Sequence, residues 1–541
     1  MAAVSNWKAK KAAAVPFASC YRWHKTTPYR DNKGDSMKRG LPIIVLCCAV
    51  SFTGMAPSPL RAAPPAAAYV GSTACAPCHG KDHGRWQQTW HAAMHRELNP
   101  AIVTADFNNV EITYKDVEVE GPDRKKAKIS PTIRLSREGD SYRFTLVDRD
   151  NPANNQTYEI AYVLGGNWNQ HFEARVGGAY YPTPMRWVVE DGQWTSKPFN
   201  DMWWVADGTP DGRPKKPEEM PKAKTGDATC DGCHTTGFNV ARDRESGRWA
   251  GQKRELGVGC ESCHGPGSVH AATKRREDIV NPAALSASQQ DQVCGQCHSR
   301  VTNRQEKDLA YPTGFMPGMS DLRQRVTFWT YSANPKNFWP NGFSSKNRQQ
   351  YHDVQFTSHA RAGVSCITCH DAHAETKGNA QLRQDKKKLC VQCHKASAAL
   401  YQGSAEERAG VGCCDCHMAR IANRSDPTPK RKQHWDVSSH TFAVVMPRTA
   451  EALKMKSSCD ACHEGADKAA KGDQVVRRQI EIRNKIAEVE KAMAVFEKNG
   501  TKAHDARKLL AAVKEDRSFG AHNPHKAMQL LQDALKSVAT E

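Results

Sequence analysis

Sixteen of the twenty cysteines in this 541-residue chain fall into eight copies of one pattern, C-x-x-C-H. The copies are CAPCH (Cys75, Cys78, His79), CDGCH (Cys230, Cys233, His234), CESCH (Cys260, Cys263, His264) and CGQCH (Cys294, Cys297, His298), followed by CITCH (Cys366, Cys369, His370), CVQCH (Cys390, Cys393, His394), CCDCH (Cys413, Cys416, His417) and CDACH (Cys459, Cys462, His463). Only Cys20, Cys47, Cys48 and Cys414 are left over. Two thiols three positions apart on a helical turn reach the two vinyl groups on one porphyrin edge. The next residue then projects beneath the ring and offers an imidazole nitrogen to the iron. A zinc ribbon pairs C-x-x-C units without needing a histidine after each, and a disulfide framework has no use for one. The repeats therefore predict eight covalently attached c-type haems, with the sixteen cysteines as thioether partners and His79, His234, His264, His298, His370, His394, His417 and His463 as proximal iron ligands.

Composition agrees with that reading. Hydrophobic residues make up 39% and mean hydropathy is -0.69, a thin supply for a large protein core. Porphyrins, each a large apolar plate, make up the deficit. The formal charge of +19 alone would suggest nucleic acid or an anionic membrane as a partner. Residues 1–68 carry +8 of it, and haem propionates offset most of the rest, so the basic residues are read as propionate partners and nucleic acid is not expected.

The N-terminus gives a compartment. Met37-Lys38-Arg39, the apolar run Leu41 to Met55 and small residues up to Ala68 have the layout of a cleaved secretory signal peptide. The run is short for a membrane span. Residues 1–36 read as an upstream extension before a better start at Met37. The expected location is periplasmic or otherwise extracytoplasmic, where c-type haems are attached.

The motifs divide the mature chain into a first haem-binding segment (69–105), a gap (106–206), a region with seven motifs (207–470) and a haem-free tail (471–541). In the gap, Ile133, Leu135, Tyr142, Phe144 and Leu146 alternate around Gly139-Asp140, and Tyr158, Ile160 and Tyr162 alternate before Gly165-Gly166. This predicts a small β-rich insert with Trp168, Trp187, Trp194, Trp203 and Trp204 in its core. In the tail, Ile482, Ile486, Val489, Met493 and Phe496 recur at helical spacing up to Asn499-Gly500. A second helix spans Lys502 to Lys514, and a third starts at Asn523-Pro524, burying Met528, Leu531 and Leu535. The expected fold is mainly α with much irregular loop, organised around covalent haems, with long C-terminal helices.

Thirteen histidines remain for the eight sixth positions once the proximal set and His24 are set aside. A second imidazole restricts an iron to electron transfer, whereas an open position admits substrate. Several longer stretches carry a resemblance: YVGSTACAPCH followed by WQQTWHAAM, GVGCESCHGPGSVH, SHARAGVSCITCHDAH, LCVQCH, GVGCCDCHMAR, DVSSHTF and GAHNPHKAMQLL. Over residues 69–541 the chain resembles the multihaem cytochromes related to cytochrome c554, pentahaem nitrite reductase and hydroxylamine oxidoreductase. The resemblance implies His91, His270, His359, His373, His440 and His522 as distal iron ligands, with His95, His171 and His352 in reserve. It also implies C-terminal helices that pack on the haem array and form a contact between copies.

Two departures bear on function. Nitrite reductases of this group carry a C-x-x-C-K site, which is absent here, and hydroxylamine oxidoreductase links its active haem to a C-terminal tyrosine, whereas no tyrosine follows Tyr401. The expectation is an electron carrier between redox partner proteins, peripheral to a membrane quinol-linked donor. The alternative is an oxidoreductase acting on a small nitrogen or sulfur compound at one five-coordinate haem. Cys414, beside the seventh motif, is read as an inert thiol, with a sulfur ligand or nucleophile as the alternative.

Overall fold

The structure is a computed structural model and describes residues 67–541 except 121–125, 198–202, 206–212, 320, 375–379, 424–434, 499, 501 and 540–541. The expected extension and signal peptide lie outside the described residues up to position 66. No helix among the described residues is long and apolar enough to cross a membrane.

Alternating sequence in the gap builds an antiparallel sheet. Its strands are β1 (His95–Glu97), β2 (Val110–Thr113), β5 (Thr132–Glu138), β6 (Ser141–Val147), β7 (Gln156–Gly165), β8 (Asn169–Val176), β9 (Ala179–Val188) and β10 (Gln193–Ser196), while β3 (Val117–Glu120) and β4 (Lys126–Ile129) form a separate hairpin. The sheet runs β10-β9-β8-β7-β6-β5-β2, with β1 pairing β7 off that path. Residues two apart share a face, so Ile133 and Leu135 on β5 and Tyr142, Phe144 and Leu146 on β6 are all buried. Trp187 and Trp204 are part of this core, Trp194 and Trp203 pack against it, and Trp168 is exposed.

The sheet corrects two expectations. It is eight-stranded rather than small, and β1 comes from the first haem-binding segment. The seven-motif region adds two-stranded ribbons such as Asn239–Arg242 with Trp249–Gln252 and Val301–Asn303 with Val326–Phe328. Helix is the larger share of the described residues, at 39% against 20% strand, and the sheet stands beside it. The ribbons went unread because pairs of two to four residues are too short to show a period.

The tail follows its periodicity. Helices span Gly465–Lys498, His504–Asp516 and Pro524–Ala539. Ile482, Ile486, Val489, Met493, Leu510, Val513 and Leu531 form one buried cluster, against which Met528 and Leu535 pack half-buried. Asn523 caps the last helix, its Oδ1 accepting from Lys526 N at 3.1 Å. Leu400, on the helix Lys395–Tyr401 just after the sixth motif, joins the same cluster and ties the tail to the haem-binding region.

Candidate haem sites

In five of the motifs the chain closes a helical turn. The histidine N–H bonds back to the carbonyl of the first cysteine in the motifs of His79 (2.9 Å), His298 (2.9 Å), His370 (2.9 Å), His394 (3.0 Å) and His463 (2.9 Å). The turn puts both thiols and the imidazole on one side.

The ring orientations are set by the other nitrogen. Nδ1 donates to Val280 O from His264 (2.8 Å), to Ala380 O from His370 (2.9 Å) and to Phe442 O from His417 (3.1 Å). Nδ1 of His270 donates to Arg275 O (2.8 Å), and that of His440 to Ser438 O (3.1 Å). A carbonyl only accepts, so Nδ1 holds the proton and Nε2 keeps its lone pair for a metal. His463 and His522 donate instead to carboxylates, Asp467 at 2.7 Å and Asp516 at 2.6 Å. Burial holds His91 and His440 neutral by lowering their pKa to about 4, and neutral imidazole is the ligating form.

Six proximal histidines each face one of the six histidines that the resemblance implied. Ring centres are 6.2 Å apart for His79 and His270, 6.2 Å for His298 and His91, and 6.2 Å for His264 and His373. They are 5.8 Å apart for His394 and His359, 6.3 Å for His370 and His440, and 6.1 Å for His417 and His522. Two imidazoles on opposite sides of one ion, each bonded at about 2.0 Å and with about 1.1 Å from nitrogen to ring centre, stand about 6.2 Å apart. The spacing fits an iron between each pair, which is the test of whether these residues suit haem.

The pairs cross between motifs. His270, which follows the third motif, faces the first; His91, which follows the first, faces the fourth; His373, which follows the fifth, faces the third. Cysteine side chains of different motifs also meet. Cys75 neighbours Cys260, Cys233 neighbours Cys297, Cys294 neighbours Cys366, and Cys390 neighbours both Cys413 and the extra thiol Cys414. Cys263 and Cys294, Cys369 and Cys393, and Cys416 and Cys459 lie farther apart but in one another's neighbourhood. By cysteine proximity the motifs follow one another as one, three, four, five, six, seven and eight, with motif two beside four.

The remaining proximal histidines differ. Among the described residues neither His234 nor His463 has an imidazole at this spacing. His463 is anchored by Asp467, but His234 Nδ1 is buried without a hydrogen-bond partner. Burial, then the Arg348 and Lys197 charges, lower the His234 pKa to about 4. The reserve histidines do not face a proximal ring. His352 Nε2 accepts from Arg300 N at 2.9 Å, His171 Nδ1 is buried without a partner, and His95 is enclosed by Asp231 and Glu173. Burial, then the neighbouring Asp231, raise the Glu173 carboxyl well above its usual range. This buried cluster beside the second motif had no periodic or motif signal, because its members come from three distant segments.

Repeated motif and paired imidazoles together define a class: the chain is a multihaem c-type cytochrome. Residues 199–265 match the family described as cytochrome c554 and c-prime, and residues 359–399 match the doubled CXXCH motif. The chain is 24% identical over 375 residues to the dissimilatory sulfite reductase MccA of Wolinella succinogenes, covering 61% of this chain and 48% of that protein. It thus spans about half the length of that curated relative. Among solved structures, the outer cell wall cytochrome OcwA aligns at a TM-score of 0.64 and 23% identity, over 87% of this chain and 99% of that one. The Wolinella succinogenes octahaem sulfite reductase MccA aligns at a TM-score of 0.42 and 15% identity, over 90% of this chain and 84% of that one.

Proposed function

We propose that the chain is an exported octahaem cytochrome that relays electrons between redox partner proteins. The six imidazole pairs at 5.8–6.3 Å carry this reading. An iron closed on both faces passes electrons only through the porphyrin edge, and the cysteine contacts put those edges in sequence. The chain's own residues hold each haem by two thioethers, orient the imidazoles through Nδ1, and tune each potential by what Nδ1 meets. A spectroelectrochemical titration of the holoprotein should consume eight electrons per chain, with low-spin ferric spectra dominating. Fewer electrons, or largely high-spin iron, would refute the relay.

A second reading is favoured at one iron. His234 has no facing imidazole among the described residues, and the Lys197 and Arg348 charges act on it. An open position amid cationic side chains suits reduction of a small anionic sulfur or nitrogen species. The ferrous protein should then bind at least one equivalent of CO per chain. Wholly low-spin iron that binds no CO would leave only the relay.

A further inference from the structure

Where β1 and β8 meet the second motif, His95, Glu173 and Asp231 are each 0% exposed. His95 Nδ1 lies 3.4 Å from an Asp231 oxygen and Nε2 lies 3.8 Å from a Glu173 oxygen. Both ring nitrogens and both Glu173 oxygens lack any hydrogen-bond partner, and so does Asp231 Oδ1. Asp231 Oδ2 meets the Lys253 ammonium at 2.9 Å, and the Asp227 carboxyl lies beside Asp231. One ligating atom from each of His95, Glu173 and Asp231 lies within 4.8 Å of the other two.

Charge points the same way. Lys253 is shared between Asp227 at 2.8 Å and Asp231, while Glu173 feels Lys253 and, more weakly, Lys197 without an ion pair to either. Three buried carboxylates thus face one contacting ammonium. Such a group is stable when a cation enters it, because unpaired buried charge is costly. The space is shaped for the carboxylate: a Cβ on Gly226 would come within 2.2 Å of Glu173 Oε1.

We propose that His95, Glu173 and Asp231 bind one divalent cation, zinc by ligand chemistry, at a site separate from the haem irons. An imidazole with two carboxylates suits zinc, which takes nitrogen and oxygen donors together, whereas magnesium and calcium take oxygen alone. Neighbouring donors in a tetrahedral zinc site stand about 3.3 Å apart, near the observed separation of His95 and Asp231. Three protein ligands leave the fourth position to water. The ion pins β1 and β8 to Asp231, the residue after Cys230, and so fixes the second haem-binding turn against the sheet.

The test uses holoprotein incubated with one equivalent of zinc alone and dialysed against metal-free buffer, with zinc and iron counted in the same sample. The expected result is one zinc per chain in the wild type and none in Glu173→Gln or His95→Gln at unchanged iron content. No zinc in the wild type would overturn the site, showing that protons satisfy the cluster. Zinc retained equally by both variants would overturn it too, as adventitious surface binding. Should those variants fail to accumulate, Asp231→Asn and competition of wild-type zinc against a chelator serve instead; zinc lost to a weak chelator overturns the site. An iron count other than eight would count against the haem reading and leave the zinc result standing.

Discussion

At the scale of single residues, six proximal imidazoles each have a second imidazole at the spacing that suits an iron between them. His359 faces His394 at 5.8 Å, so His359→Ala should make the haem on Cys390 and Cys393 five-coordinate without detaching it. CO titration of the ferrous protein would register one additional equivalent per chain; an unchanged CO count would remove His359 from the ligand set. His522 donates to Asp516, and a carboxylate on Nδ1 would make the imidazole a stronger donor to ferric iron. Asp516→Asn should therefore raise the potential of the haem at His417. A tenfold change in ferric preference corresponds to about 59 mV for one electron, so a shift of a few tens of mV is expected by redox titration. A downward shift would contradict this role for Asp516.

At the scale of elements, ligands depend on packing some distance away. His522 lies between the helices His504–Asp516 and Pro524–Ala539, whose placement rests on the cluster around Leu531. Leu531 is 0% exposed, and Leu531→Ala should destabilise this bundle by about 2–5 kcal/mol, seen as a lower midpoint in thermal unfolding. Asn523→Ala removes a cap instead and should cost about 1 kcal/mol. If His522 closes the seventh iron, high-spin absorption should grow as the helices melt, earlier in Leu531→Ala than in the wild type. The tail bundle and the sheet were legible because their apolar residues recur at one period over many positions. The ribbons between motifs were not, since each is fixed by partners distant in sequence.

At the scale of the molecule, apolar cores are unevenly spread. The sheet and tail clusters are large, whereas the clusters inside the seven-motif region hold four or five buried residues each. Haem is the apolar mass there. Chain produced without haem attachment should keep slow hydrogen exchange in β5 to β9 and exchange freely over the motifs from Cys230 to His463. Protection across those motifs in the apoprotein would show a core that does not need haem.

What the sequence determined by itself was chemistry and local form. Eight C-x-x-C-H repeats specify haem attachment because one helical turn contains all that the bond geometry needs, and periodicity specifies the helices and strands for the same local reason. The resemblance named six further histidines but assigned them no partners. Tertiary structure alone decided that His91 faces the fourth motif and His270 the first, that the motifs join in a branching series, and that His95, Glu173 and Asp231 share a buried space. Each is a meeting of segments tens to hundreds of residues apart, settled by how the sheet, the turns and the tail helices pack rather than by any spacing along the chain.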